Sequence, residues 1–201
     1  MSPGGQGPVE WASVRAYQSF GSTDGNAPST IKNARAAGVS EVSAYIFPCY
    51  PCGDGAKQVN DTVYLLNANN ASPDMYWYDV ENYEWSSNIY NNRAFITDMI
   101  EKGQSLGIKA GIYSSYYNWQ SIVGLDWTYP HDQGLPLWYA HYDNSASFSD
   151  FVAFGGWSSP NVKQYEGDKS SCGVGIDYDY MSRLTTEEDN YEPVPEKFLT
   201  E

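Results

Sequence analysis

The sequence predicts an α/β fold, an irregular β/α barrel with about seven strands visible that is open or incomplete. Three observations carry this. Short apolar runs alternate with helical patterns along most of the 201 residues. The connections between them are short, which places each helix against the strands it joins and makes the strands parallel. Neither Gly-x-Gly-x-x-Gly nor Gly-x-x-x-x-Gly-Lys-Ser/Thr follows a first strand, so a nucleotide-binding sheet is unsupported.

Residues 13–20 read as the first strand, ending at Gly21-Ser22. A helix is expected over 28–37, with Pro28 in its first turn and Gly38 where a C-cap belongs. Residues 41–47 form the next strand. Asp54 then caps a helix in which Val59, Val63 and Leu66 recur at i, i+4 and i+7. Residues 74–81 are strand-like. A long helix over 88–106 carries Phe95, Met99 and Leu106 on one stripe, with Gly107 after it. A strand at 109–115, a short helix at 116–123 and a strand at 137–142 follow. A helix-like segment at 148–154 precedes the last two strands, 162–165 and 175–180. This gives three regions: a Pro/Gly-rich extension over 1–12, a barrel over 13–184, and an acidic tail over 185–201 expected to be extended or disordered.

Composition narrows the function. The chain is 41% apolar, 18% charged and 16% aromatic, with eighteen Tyr and seven Trp. That many rings exceed the needs of one core, and flat aromatic faces with polar tips suit sugars; Tyr is equally a good strand residue. A formal charge of −14 excludes nucleic-acid and anionic-membrane partners, both of which need a basic surface. An acidic compartment, where carboxylates begin to protonate, suits such a chain against anionic walls better than neutral plasma. No apolar run approaches the roughly 18 residues of a transmembrane helix, and the first eight residues lack the apolar stretch of a signal peptide. Sequons at Asn60 and Asn70 are compatible with export. Cys49 and Cys52 lie in a Pro/Gly loop suited to a short disulfide, which leaves Cys172 without an evident partner. A single Cys-x-x-Cys is poor evidence for zinc, and His131 and His141 stand too isolated for a metal site.

The informative string is Met75-Tyr76-Trp77-Tyr78-Asp79-Val80-Glu81-Asn82. Residues two apart on a strand point to one side, so Asp79 and Glu81 share a face at the strand's C-terminal end, the mouth of such a barrel. Two carboxylates this close do not ionise independently, because each disfavours the other's charge. Glycoside cleavage needs that inequality: one carboxyl protonated for the leaving oxygen, one ionised for the opposite side. Trp77, Tyr78 and Tyr83 would desolvate the acid further. The same Asp-x-Glu could also simply end a strand in solvated charge.

Several blocks in order resemble glycoside hydrolase family 25, the Chalaropsis-type lysozymes, especially their animal and amoebal branch. They are Val14-Arg15-Ala16-Tyr17-Gln18-Ser19-Phe20-Gly21, Trp77-Tyr78-Asp79-Val80-Glu81, Gly111-Ile112-Tyr113-Ser114, Leu137-Trp138-Tyr139-Ala140-His141-Tyr142, Lys163-Gln164-Tyr165 and Gly175-Ile176-Asp177. The resemblance implies a TIM-like barrel that cleaves the β-1,4 bond between N-acetylmuramic acid and N-acetylglucosamine in bacterial cell-wall polysaccharide. It makes Glu81 the proton donor, Asp79 the group that positions the substrate's acetamido arm, and Asp177 the later acid. Tyr45, Trp77, Tyr113, Trp138, Tyr139 and Tyr165 would line the sugar groove. No metal or cofactor is expected. Secretion, or the lumen of an acidic digestive or phagosomal compartment, would suit this role.

One departure stands out. Family members open on a strand of the form Gly-x-Asp-x-Ser, whose Asp completes the acidic cluster. Here residues 1–12 contain no Asp and are Pro/Gly-rich. Without that strand, two sheet edges stay exposed unless the sequence is truncated or another segment or chain fills the gap. Cys172 fits the same loss, since a cysteine in the missing segment could have been its partner. A sugar-binding pseudo-enzyme is the alternative reading. A chitinase-like hydrolase is a further one, because Asp74, Asp79 and Glu81 match three acidic places of Asp-x-x-Asp-x-Asp-x-Glu. Oligomeric state is not legible.

Overall fold

The computed structural model describes residues 9–171, 173–181 and 198–200. Its elements follow in the order β1 (Trp11–Gln18), β2 (Ser22–Thr23), α1 (Ala27–Ala36), β3 (Glu41–Ile46), α2 (Gly55–Ala68), β4 (Tyr76–Asp79), α3 (Ile89–Ser105), β5 (Ala110–Ser114), α4 (Tyr116–Ile122), α5 (Tyr129–Asp132), β6 (Leu137–Ala140), β7 (Val162–Ser171), β8 (Val174–Met181) and β9 (Phe198–Thr200). The alternation expected from the sequence is present, and α2, α3 and α4 start where a side chain takes an orphan N–H group. Asp54 accepts from Lys57 N at 2.8 Å, Asn88 from Tyr90 N at 3.0 Å and Ser115 from Asn118 N at 3.1 Å. Pro28 occupies the first turn of α1, and Gly107 at φ 66° follows α3.

One sheet runs β2-β1-β3-β4-β5-β6-β7-β8-β9. The pairs from β1 through β3, β4, β5, β6 and β7 are parallel. β7 and β8 then form an antiparallel hairpin, because nothing helical separates them. This curled sheet is an incomplete barrel. At its seam β9 pairs with β1 at Ala12 and Ser13 and with β8 from Asp177 to Asp179. β9 thus lies between β1 and β8, over two residue pairs on one side and three on the other. Residues 1–8 and Cys172 lie outside the described residues, as does most of the acidic tail.

Several elements differ from expectation, among them β7, which runs on to Ser171 past the expected end at 165, and β6, which stops at Ala140. β1 begins at Trp11 inside the region read as extension, because Trp11 supplies a ring that is buried within the barrel. β4 stops at Asp79, two residues short of Glu81. The helix expected at 148–154 does not form. Ser147 and Asp143 side chains accept nearby backbone N–H groups there, and Gly155 and Gly156 follow with positive φ. The phenylalanines still pack: Phe151 lies against Tyr139 and Phe154 against Trp119.

Two apolar clusters result. The larger fills the space between the outer sheet face and the helices, with Ile31, Ile46, Leu66, Ile96, Met99 and Ile112 at its heart. The smaller lies inside the barrel and consists of Trp11, Trp77, Tyr113, Trp138, Ala140 and Val162. Trp138 touches the rings of Trp11, Trp77 and Tyr113 at 5.2, 5.7 and 4.7 Å between centroids. A Cβ on Gly111 would meet the Trp77 ring at 2.4 Å, so glycine at this β5 position lets the indole lie on the backbone.

Candidate active site

At the C-terminal ends of the parallel strands the barrel opens into a cleft lined by Arg15, Tyr45, Phe47, Asp79, Glu81, Tyr113, Trp138, Tyr142, Gln164 and Asp177. Strand alternation builds it. Val80 packs in the outer core, which leaves Asp79 and Glu81 on the opposite side. The turn that carries them is pinned to β5: Val80 N donates to Tyr113 O at 2.8 Å, and Ser114 Oγ donates to Val80 O at 2.7 Å. Beyond it, Trp85 Nε1 donates to Glu81 O at 2.7 Å, and Ser121 of α4 holds Asn82 at 2.9 Å.

Burial, then the Glu81 charge, pushes the Asp79 carboxyl well above the usual carboxylate range. Burial, then Asp177, raises Glu81. The Oδ1 of Asp79 meets no hydrogen-bond partner among the described residues. Asp177 is held on both oxygens: Gln164 Nε2 donates to Oδ2 at 3.0 Å and Asp168 N to Oδ1 at 2.9 Å. Burial first, with the carboxylates of Asp177, Glu81 and Asp179 and against a lowering hydrogen bond to Tyr113, leaves the Tyr142 phenol pushed up to about 12. Below them Asp179 is fully buried and accepts from Trp138 Nε1 at 2.7 Å; burial drives its carboxyl well above the usual range. Arg15 is the one basic side chain in the lining, half exposed and paired to Asp24 at 3.1 Å.

Of the residues expected at the site, Asp79, Glu81, Asp177, Tyr45, Tyr113 and Trp138 meet in the cleft. Trp77 lies inside the barrel against Trp138 rather than in the lining. Tyr139 and Tyr165 are turned away, because their neighbours Trp138 and Gln164 take the inner positions. Tyr139 packs on Phe151, and Tyr165 stacks on Tyr178. Arg15, Phe47, Tyr142 and Gln164 were not anticipated, yet counting by twos from Ser13, Tyr45, Ala140 and Val162 along their strands reaches all four. Asp74 sits at the other end of β4, accepting from Val42 N at 2.8 Å and Arg35 at 3.1 Å. It takes no part in the cluster, which removes the chitinase-like pattern.

His141 is less isolated than expected. It shares Asp150 with Lys163, whose buried Nζ donates to Asp150 at 2.6 Å and Asp143 at 2.8 Å. The ammonium bridges both carboxylates, and the group clamps the irregular loop after β6 rather than facing the cleft. Cys49 and Cys52 form a disulfide.

The family model described as "Lysozyme-like protein 1" matches residues 6–165. The chain is 41% identical over 171 residues to "Probable GH family 25 lysozyme 2" of Dictyostelium discoideum, covering 85% of this chain and 79% of that one. It is 41% identical over 170 residues to "Lysozyme-like protein 5" of Caenorhabditis elegans, covering 83% and 78%. The chain belongs to the glycoside hydrolase family 25 lysozymes. The fold agrees: the structure of a family GH25 lysozyme from Aspergillus fumigatus superposes with a TM-score of 0.62 at 20% identity, over 88% of this chain and 82% of that one. At the seam of the family 25 barrel, β9 pairs backbone to backbone with β1 and β8.

Proposed function

We propose that this chain hydrolyses the β-1,4 bond between N-acetylmuramic acid and N-acetylglucosamine in peptidoglycan, with Glu81 as acid, Asp79 on the acetamido arm and Asp177 as the third carboxylate. The observation that carries it is the convergence of these three carboxylates in one aromatic-lined cleft. Glu81 gives its proton to the glycosidic oxygen as the C1–O bond breaks, and the substrate's acetamido oxygen closes on C1. Asp79 accepts the acetamido N–H, which supplies the partner its Oδ1 lacks. Water then opens the ring intermediate at C1 and returns a proton to Glu81.

The protonation states set the pH range. Glu81 is competent only while protonated, and its raised pKa keeps that form to higher pH than an ordinary glutamate; activity falls as pH rises through it. Release from the cell, or an acidic digestive or phagosomal lumen, suits an enzyme that works on the acid side, and the charge of −14 opposes anionic walls least there. Glu81→Gln is expected to abolish release of dye from labelled bacterial walls while the circular dichroism spectrum is unchanged. Retained lysis would sink the assignment of the acid. Sugar binding by the parent protein without turnover at any pH would instead make it a binding protein on this fold.

A further inference from the structure

The carboxylate beside Glu81 is held by a side chain that the proposed chemistry does not use. Gln164 is buried on β7, among Tyr113 of β5, Tyr142 just past β6 and Asp177 of β8. Its Oε1 accepts from Tyr113 OH at 2.6 Å and from Tyr142 OH at 2.5 Å, and its Nε2 donates to Asp177 Oδ2 at 3.0 Å. Elementary chemistry fixes the direction of this array. An ionised Asp177 only accepts, so the amide must turn its nitrogen there, and both phenols must then give their protons to its oxygen. Each tyrosine hydroxyl is committed, and neither donates to Asp177.

We propose that Gln164 is a positioning residue for the glycosidase reaction: its amide fixes the Asp177 carboxylate beside Glu81 and aims the hydroxyls of Tyr113 and Tyr142 at the cleft. The assignment rests on the muramidase reading of that cleft. An amide is the group that fits, because it offers an acceptor and a donor on one rigid plane without adding charge. The charged and titratable groups around it are Arg15 from β1, Tyr45 from β3, Asp79 and Glu81 from β4 and its turn, and Asp177 and Asp179 from β8. A carboxylate in place of Gln164 would face Asp177 charge to charge. A leucine would free Asp177 to rotate, strand the buried Tyr113 proton and take away the acceptor of the more exposed Tyr142 hydroxyl.

The test uses Gln164→Leu and Gln164→Glu in the full-length chain, each with a thermal melt and a carbon-13 NMR titration of the Asp177 carboxyl, assigned by its loss in Asp177→Asn. In Gln164→Leu the Asp177 midpoint is expected to move upward, and kcat on peptidoglycan to fall by about ten- to a hundredfold with KM little changed. In Gln164→Glu activity should recover toward acidic pH, where a protonated carboxyl again offers one acceptor and one donor, and Gln164→Leu should recover at no pH. An unaltered Asp177 titration in either folded variant overturns the proposal, as does a parent-like pH profile of kcat in Gln164→Glu. If Gln164→Leu does not fold, Gln164→Glu gives the same decision. If the parent cleaves no peptidoglycan, the functional reading fails, while the NMR titration still decides the role of Gln164.

Discussion

At the scale of single residues, the cleft sets carboxyls against burial more than against partners. Asp179 is the extreme case: it lies wholly inside the barrel, with the Trp138 N–H on one oxygen and no partner on the other among the described residues. Its folded pKa lies above the ordinary 3.8, so the proton it holds stabilises the fold fully below that value, and the contribution is lost as pH rises through the folded pKa. Asp179→Asn copies the protonated form. Melting temperatures followed across pH should therefore decline more steeply above pH 3.8 in the parent than in the variant. Parallel curves would contradict the buried, proton-holding role. Much of this site could be read in the sequence, because Asp79 and Glu81 carry their geometry in their spacing. What could not be read was facing. Tyr139 and Tyr165 look like groove residues by type, and only the pairing of β6 and β7 decides that Trp138 and Gln164 take the inward positions instead.

At the scale of elements, the segment between β6 and β7 is the part the sequence described worst. Its phenylalanines have helical spacing, but serine and aspartate side chains compete for the backbone, and tertiary contacts to Tyr139 and Trp119 use the rings from an irregular path. What holds that path is Lys163, fully buried between Asp143 and Asp150. Both carboxylates keep some contact with water, which reduces the cost of losing their partner. Lys163→Met is expected to lower stability by about 1–3 kcal/mol in urea unfolding and to speed proteolysis within residues 141–161. Unchanged cleavage there would show that the loop is held by its aromatic contacts alone. The strands and the longer helices were legible by contrast, since Asp54, Pro28, Asn88 and Gly107 mark their ends by local chemistry that tertiary structure does not override.

At the scale of the whole molecule, the barrel depends on a seam that sequence patterning does not reveal. Three residues of β9 supply the backbone partners for β1 and β8, and they come from a tail whose acidic, proline-containing sequence carries no strand signal. Pairing of this kind is decided by the edges already present. Removing residues 182–201 should therefore lower the melting temperature and promote self-association, both measurable by calorimetry and by size-exclusion chromatography across concentration. A truncated chain that melts like the parent and stays the same size would mean that the seam contributes nothing.

Consecutive residues of β7 do opposite work: Lys163 points out to clamp a loop and Gln164 points in to hold Asp177. A slip of β7 by one position would exchange them, placing an ammonium among the cleft carboxylates and an amide between two stranded aspartates. The cluster would then lose part of the negative charge that, after burial, raises the Glu81 carboxyl. Enzyme and inert barrel thus differ by a single step along one strand, and the irregularities in the β7–β8 ladder at Gln164/Glu166 and Glu166/Lys169 lie where that step is set.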